Sequence, residues 1–244
     1  MRIDKFLSDM GIATRKEAKA AAKRGGIEVD GVKVTDPSRH IDPEAVSVSY
    51  LGRPIEYRKY TYIMLNKPEG YVSATEDERL PVVTELLPPE LQRLSLFPVG
   101  RLDRDTVGLM ILTNNGPLAH SLLSPRRHVK KSYGFSLAEP MRGGAEEEFR
   151  GGVVLADGYE CKSAEIVLDP DRTGGVITLT EGKYHQIKRM AAAMGNKITR
   201  LERITFGPLS LDNSLARGEW RFLSAGEIEF LMNVKNSYSF QGEV

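Results

Sequence analysis

The segment Gly100-Arg101-Leu102-Asp103-Arg104-Asp105-Thr106-Val107-Gly108-Leu109 runs directly into the apolar residues Met110-Ile111-Leu112. A polar stretch bounded by glycines and followed by an unbroken apolar run is typical of a loop that is anchored on a buried strand. Catalytic residues concentrate on loops that a rigid element holds in place. The segment therefore makes Asp103 the leading candidate for a residue that does chemistry.

Asp103 lies between two arginines, and this arrangement leaves three interpretations open. The neighbouring Arg101 and Arg104 favour an ionised carboxylate, which can act as a nucleophile or as a general base. Asp105 follows two residues later, so the two aspartates could together bind a divalent cation such as magnesium. The third interpretation is an ordinary surface turn in which the charges pair locally.

Composition restricts the classes of protein to which the chain can belong. The 244 residues include 41% hydrophobic side chains, enough for a packed core, and carry a net charge of +1. The single cysteine, Cys161, excludes an internal disulfide and a multi-cysteine metal site and is typical of a reducing compartment. No apolar run approaches the roughly 18 residues of a membrane span. We expect a cytoplasmic protein without a membrane partner, and we expect a monomer.

Hydrophobic periodicity divides the chain into two domains. Residues 1–58 form a small module, residues 59–236 form a larger domain, and the polar residues 237–244 are predicted to be a disordered tail. In the larger domain, strand candidates outnumber helix candidates and do not alternate steadily with them. The predicted fold class is therefore α+β, with a mixed, mainly antiparallel sheet flanked by helices and loops.

Four local signals support this division. Apolar residues at helical spacing between Ile3 and Met10 predict a first helix. Thr14-Arg15-Lys16-Glu17 is a capping box, which predicts a second helix that ends at Gly25-Gly26. Asp30-Gly31, flanked by alternating apolar residues, predicts a tight hairpin. A second capping box, Ser224-Ala225-Gly226-Glu227, predicts the start of the last helix.

Positive charge is concentrated in three segments. Residues 1–24 carry seven basic side chains against three acidic ones, and residues 183–203 carry six against one. A third basic segment spans residues 126–131. Such surfaces suit phosphate contacts, although a solvated surface is the plainer interpretation of an isolated charge run. The candidate phosphate-binding residues are Arg2, Lys5, Arg15, Lys16, Lys19, Arg126, Arg127, Lys131, Lys183 and Arg189.

Several cofactor-binding patterns are absent from the sequence. It contains no phosphate-binding Gly-x-x-x-x-Gly-Lys-Ser/Thr loop, no Gly-x-Gly-x-x-Gly after a strand, no Gly-x-Ser-x-Gly elbow and no zinc-binding His-Glu-x-x-His. The four histidines are scattered along the chain. These absences count against nucleotide hydrolysis, hydride transfer and zinc chemistry.

Five motifs taken together resemble the pseudouridine synthases, and within them the RsuA-like branch that modifies ribosomal RNA. The aspartate motif and the motif of residues 181–190 form a highly specific pair. Residues 1–50 resemble the small RNA-binding module of an S-four-type ribosomal protein. The matching motifs are Leu65-Asn66-Lys67-Pro68-x-Gly70, Gly100-Arg101-Leu102-Asp103-x-x-Thr106-x-Gly108-Leu109, Lys131-x-Tyr133, Glu181-Gly182-Lys183-Tyr184-His185-Gln186-Ile187-Lys188-Arg189-Met190 and Phe206-Gly207-Pro208-Leu209.

The resemblance implies a role for each of four residues. Asp103 matches the catalytic aspartate of the family, and Lys188 matches the basic residue that pairs with it. Tyr133 matches the tyrosine that lies against the target base, and Arg101 matches an arginine that helps to displace the base from the RNA stack. The resemblance gives Asp105 no catalytic role, which argues against the magnesium interpretation, and it implies a reaction that needs neither a cofactor nor a bound metal. The candidate phosphate-binding residues become candidate RNA contacts.

The implied function is isomerisation of one uridine to pseudouridine in ribosomal RNA, as naked RNA or in a ribosome assembly intermediate. The sequence of residues 184–190 resembles the member of this branch that acts on small-subunit ribosomal RNA more closely than the members that act on large-subunit ribosomal RNA. We therefore expect a target in small-subunit (16S) ribosomal RNA. Two alternatives stay open at this point. One is a synthase that acts on large-subunit (23S) ribosomal RNA, and the other is a non-catalytic factor that binds ribosomal RNA during assembly.

Overall fold

The structure is a computed structural model that describes residues 1–236. Residues 237–244, for which a disordered tail was predicted, lie outside the described residues. The chain divides into two compact units. The first consists of Met1–Thr61 and Leu87–Leu96, and the second consists of Tyr62–Leu86 and the chain from Phe97 onward.

The described residues contain both helices and strands. Two short 3-10 helices span Val83–Leu86 and Pro125–Arg127. The α-helices are α1 (Ile3–Asp9), α2 (Arg15–Lys23), α3 (Pro89–Gln92), α4 (Gly116–Leu123), α5 (Ala145–Gly151), α6 (Gln186–Ala193) and α7 (Ala225–Asn236). The strands are β1 (Ile27–Val29), β2 (Val32–Lys33), β3 (Val48–Tyr50), β4 (Arg53–Ile55), β5 (Tyr62–Lys67), β6 (Phe97–Pro98), β7 (Val107–Thr113), β8 (Lys131–Leu137), β9 (Glu165–Leu168), β10 (Gly174–Leu179), β11 (Ile198–Phe206), β12 (Leu209–Ser210) and β13 (Trp220–Phe222).

The N-terminal unit packs α1 and α2 on a small sheet with the strand order β2-β1-β3-β4. The predicted capping box is confirmed, because Glu17 donates its backbone N–H to the Thr14 hydroxyl and its carboxylate accepts from the Thr14 backbone N–H. The predicted hairpin is also confirmed, since β1 and β2 pair antiparallel across Asp30-Gly31. Fully buried Ile3 and Phe6 lie in the core of this unit, which explains why the helix that carries them docks there.

The larger unit is built on a nine-stranded sheet with the main order β13-β5-β7-β11-β8-β10-β9. Strands β12 and β6 pair with β11 and β7 off this path. Among the described strand pairs of this sheet, β7 with β11 is parallel and the others are antiparallel. The predicted α+β class with a mixed, mainly antiparallel sheet is therefore confirmed. None of the helices in residues 1–236 has the length and apolar character that a membrane crossing requires.

Gly108 makes the parallel contact between β7 and β11 possible. It lies opposite Arg203 in the ladder and has a backbone φ of 101°, in the region that favours glycine. A Cβ atom at this position would clash with the Arg203 carbonyl oxygen and would lie 2.9 Å from the Arg203 nitrogen. The Arg203 side chain is buried across the junction, where its Nε donates to the Leu109 carbonyl at 2.7 Å. The sheet is continuous here only because residue 108 has no side chain.

The substitution Gly108→Ala tests this constraint. It combines an unfavourable positive φ with overpacking against a neighbouring backbone, and we expect it to lower the free energy of unfolding by about 3 kcal/mol. Thermal or urea unfolding measures the change. Gly116→Ala is the matched control, because a Cβ atom there meets nothing within 4 Å. Equal stability of the two variants would contradict the close approach of β7 and β11.

Candidate active site

Four residues predicted to act together line one cleft of the larger unit. The cleft has a volume of about 620 Å³, and its lining includes Arg101, Asp103, Tyr133 and Lys188. Asp103 lies in the loop before β7, Tyr133 lies in β8, and Lys188 lies in the first turn of α6. The parallel pairing of β7 with β11 places the segments that precede these two strands at the same edge of the sheet. Asp103 and Lys188 meet at that edge.

Lys188 is held between two carboxylates. Its Nζ lies 3.0 Å from Oδ2 of Asp103 and 2.5 Å from Oδ1 of Asp105. Burial lowers the pKa of Lys188, but the hydrogen bonds to Asp105 and Asp103 outweigh burial, so the pKa lies above its ordinary value. The ammonium group therefore stays charged and fixes the orientation of the Asp103 carboxylate.

The ion pair between Asp105 and Lys188 was not predicted from the sequence. Burial raises the pKa of Asp105, but the hydrogen bond and the charge of Lys188 outweigh burial and hold the pKa below its ordinary value. Within residues 1–236, no group of three or more His, Cys, Asp or Glu side chains is placed to hold a metal ion. In this structure the two aspartates share an ammonium group.

His185 lies on the opposite side of the Asp103 carboxylate. Its Nε2 is 3.6 Å from Oδ1 of Asp103. The residue is the N-cap of α6 and has a left-handed backbone with φ 48° and ψ 33°, which costs a non-glycine residue free energy. Asp103 is thus placed between a lysine on one carboxylate oxygen and a histidine ring on the other.

Lys67 binds the backbone of residues 100–106, the loop that carries Asp103 (the Asp103 loop). No functional role was predicted for Lys67 from the sequence. The side chain is fully buried at the end of β5. Its ammonium group donates to the carbonyl oxygens of Thr106 at 2.8 Å, Asp103 at 3.1 Å and Arg104 at 3.3 Å, and to that of the adjacent Pro68 at 3.1 Å. Burial lowers the pKa of Lys67 to about 8, although nearby carboxylates oppose the shift. Three of these carbonyl groups belong to the loop that carries the candidate catalytic residue.

Further hydrogen bonds fix the same loop. The hydroxyl of Ser73 donates to the Leu102 carbonyl at 2.8 Å and accepts from the Leu102 N–H at 2.9 Å. The N–H of Thr106 donates to the Asp103 carbonyl, which closes a turn around the aspartate. The Gly70 N–H donates to the Arg104 carbonyl. The carboxylate of Asp103 therefore rests on a loop whose backbone is bound at several points in the ligand-free protein.

Tyr133 and Arg101 contribute to the cleft in different ways. Tyr133 is 8% exposed and is paired on both sides, with Arg203 of β11 and Ile177 of β10, so its position is fixed by the sheet. Arg101 is exposed, and its guanidinium group makes no hydrogen bond or ion pair with the part of the chain that the structure describes. A fixed aromatic ring and an available cation thus line the same cleft as the Asp103 carboxylate.

The basic residues of the N-terminal unit differ in their surroundings. Arg2 forms an ion pair with Asp4 at 2.7 Å, and Lys5 forms one with Asp9 at 2.8 Å. Three residues of α2 that are predicted to bind RNA are exposed to solvent: Arg15, Lys16 and Lys19. Helix α2 therefore presents the more available part of the positive surface.

Three of the predicted RNA-binding residues in the larger unit have partners within the protein. The half-buried Lys131 donates to the Val129 carbonyl, and burial lowers its pKa to about 8. Lys183 Nζ lies 4.8 Å from the ring centroid of Tyr159. Arg189 forms an ion pair with Asp157 at 2.5 Å. In the 3-10 helix Pro125–Arg127, which precedes β8, Arg126 is exposed and Arg127 is half-buried.

Comparison with family models assigns both parts of the chain. Residues 61–193 match the model described as RNA pseudouridylate synthase, and residues 1–47 match the S4 domain. The first match contains four of the five motifs, and the Phe206-Gly207-Pro208-Leu209 motif lies beyond its end. The RNA pseudouridylate synthase match covers more than half of the chain and contains Asp103, Tyr133 and Lys188.

Comparison with individual proteins extends over nearly the whole chain. It is 44% identical to the "Uncharacterized RNA pseudouridine synthase YtzG" of Bacillus subtilis, over 95% of this chain and 98% of that protein. It is 37% identical to the "Ribosomal small subunit pseudouridine synthase A" of Escherichia coli K12, over 93% of this chain and 98% of that protein. A crystal structure described as a pseudouridylate synthase superimposes with a TM-score of 0.67 at 33% identity, over 95% of this chain and 99% of that one.

The substitution Lys67→Met tests how the loop is held. The pKa of Lys67 is about 8 in the folded protein, and the ordinary value for an unburied lysine, as in the unfolded chain, is 10.5. Between these pH values the unfolded state therefore binds more protons than the folded state. Stability of the wild type therefore gains a contribution that rises with pH across this window, and the variant lacks it. Urea unfolding at several pH values measures the difference.

The exposed Lys197→Met is the control for loss of a lysine without loss of the buried ammonium. It should unfold like the wild type at each pH. A Lys67→Met protein that followed the same pH dependence as the wild type would show that Lys67 does not titrate in the folded protein as described.

The substitution Lys188→Met tests the shared ammonium group. Lys188 is what lowers the pKa of Asp105, so its removal should leave burial as the dominant influence and raise that pKa. Carboxyl ¹³C NMR titration of Asp105 measures the change. Lys188→Arg keeps a cation and should keep the pKa low. An unchanged Asp105 pKa in Lys188→Met would contradict the geometry.

Proposed function

We propose that this chain, which belongs to the RNA pseudouridylate synthase family, converts a single uridine of small-subunit (16S) ribosomal RNA to pseudouridine. Family membership makes the chain an RNA-modifying isomerase. The choice of target and the roles of individual residues are the proposal. The substrate is ribosomal RNA, as naked RNA or within an assembly intermediate.

One observation carries the residue assignment: the Asp103 carboxylate lies 3.0 Å from the Lys188 ammonium group, inside the cleft that Tyr133 also lines. The reaction breaks the N-glycosidic bond between N1 of the uracil and the ribose, rotates the base and forms a carbon–carbon bond from the ribose to C5; C5 loses one proton and N1 gains one. No electrons are gained or lost overall. An ionised carboxylate suits such a reaction, as a nucleophile or as a general base at the ribose or the uracil.

The remaining cleft residues have complementary tasks in this proposal. A base inside a duplex or stack cannot reach the carboxylate, so the uridine must first turn out of the RNA. Arg101, exposed at the cleft, would take the place of the displaced base or contact its phosphate. Tyr133, held in the sheet, would lie against the uracil and keep it in place during rotation. Lys188 would keep the carboxylate charged and oriented.

Two observations support a small-subunit target. The relatives from Escherichia coli K12 and Vibrio vulnificus, 37% and 38% identical over almost their full lengths, are named small-subunit pseudouridine synthases. The sequence of residues 184–190 also resembles the small-subunit member more closely than its large-subunit relatives. The S4 domain with the exposed basic face of α2 suits binding to folded RNA away from the target uridine.

Tritium release tests the reaction and the catalytic residue together. A small-subunit ribosomal RNA fragment is transcribed with C5-tritiated uridine, and release of tritium to water reports loss of the C5 proton. Wild type should release tritium, and Asp103→Asn should release it slower by roughly 100-fold or more while RNA affinity is retained. Asp169→Asn, which changes an exposed aspartate in the turn between β9 and β10, is the matched control.

Mapping of pseudouridines in ribosomal RNA from a deletion strain tests the target. The proposal predicts that one small-subunit site is lost and that wild-type protein restores it. Loss of a large-subunit site would instead assign the protein to 23S ribosomal RNA. No lost site, together with tight binding and no tritium release by the wild type, would identify a non-catalytic assembly factor and overturn the proposal.

A further inference from the structure

Tyr184 and His185 form an aromatic stack at the edge of the cleft. Their ring centroids are 3.9 Å apart and the rings are inclined by only 15°. Tyr184 is 70% exposed, and both residues line the same cleft as Asp103. One ring thus faces the candidate catalytic carboxylate, and the next presents an open aromatic surface.

The backbone that carries this stack is fixed. Gln186 is buried, and its side chain accepts from the Lys183 N–H at 2.9 Å and donates to Glu181. His185 has a left-handed backbone, which a histidine adopts at a cost in free energy. This turn exposes the Tyr184 ring to solvent, so packing of the protein core does not explain its strained conformation. Such a geometry favours a ligand that covers the ring.

The chemistry of the surroundings identifies the class of ligand. The exposed Lys183 and Arg101 line the same cleft as the stack, so cations that suit phosphate accompany an aromatic surface. Exposed aromatic rings beside basic side chains bind single-stranded RNA by stacking on its bases. The His185 ring lies 3.6 Å from Asp103, so a base on this stack would belong to a nucleotide close to the target uridine.

We propose that Tyr184, stacked on His185, is a binding subsite for the nucleobase of a nucleotide that flanks the target uridine. This inference rests on the proposed function, because it assumes that RNA enters the cleft. The subsite positions the flanking nucleotide while the uridine occupies the space between Asp103 and Tyr133. It selects RNA in which the neighbouring base is free to unstack and turn toward Tyr184.

A set of RNA fragments with one abasic nucleotide at each flanking position provides the test. Tritium release gives KM and kcat, and 2-aminopurine placed at the same positions reports stacking through its fluorescence without any turnover. Tyr184→Ala should raise KM by roughly tenfold, with a smaller change in kcat, as expected for loss of one stacked base. Tyr184→Trp should restore KM. Phe230→Ala, which removes a ring exposed on α7, is the matched control.

The subsite is identified by the flanking position at which the effects of the abasic nucleotide and of Tyr184→Ala on KM are not additive. At one flanking position, the abasic nucleotide should raise KM of the wild type tenfold and leave KM of Tyr184→Ala unchanged, and 2-aminopurine there should be quenched by the wild type only. An unchanged KM in Tyr184→Ala, with quenching as in the wild type at every position, overturns the inference. Position-specific quenching without tritium release would support the subsite and contradict the proposed function, so the two failures are distinguishable.

Discussion

The architecture of the catalytic unit depends on the absence of a side chain at residue 108. Strands β7 and β11 can run parallel in contact because Gly108 lets the Arg203 backbone approach. Parallel strands bring the segments that precede them to the same edge of a sheet. The segment before β7 carries Asp103, and helix α6 before β11 carries Lys188. Two residues 85 positions apart in the chain therefore form one ion pair.

Two lysines position the Asp103 carboxylate, one through the backbone of its loop and one through a direct ion pair. Lys67 is buried and binds carbonyl groups of the loop, so its charge serves the backbone. Lys188 lies in the cleft and binds the carboxylates of Asp103 and Asp105, so its charge acts on the carboxylate that we propose to react. Each ammonium group is partly desolvated, which strengthens its contacts. Donors that are already in place need not reorganise when RNA binds, and this is the condition for efficient electrostatic catalysis.

The sequence predicted the parts of the structure that depend on local chemistry. The capping box at Thr14, the hairpin at Asp30-Gly31 and the buried strand after Asp103 are fixed by short-range patterns, and all three are present. Strands β4, β6, β9 and β12 were not predicted, because each has four residues or fewer and offers too short a hydrophobic pattern to indicate a strand. The bonds from Lys67 to the Asp103 loop join residues 36 to 39 positions apart and leave no periodic signal.

The hydrogen bonds to the Asp103 loop imply that this loop is ordered before RNA binds. Amide hydrogen exchange of residues 100–113 tests it most directly, because the N–H groups of Leu102 and Thr106 are bound to Ser73 and to the Asp103 carbonyl. We predict that these two amides exchange about as slowly as those of β7. Fast exchange at both, with β7 protected, would show that the loop becomes ordered only when RNA binds and would contradict the account.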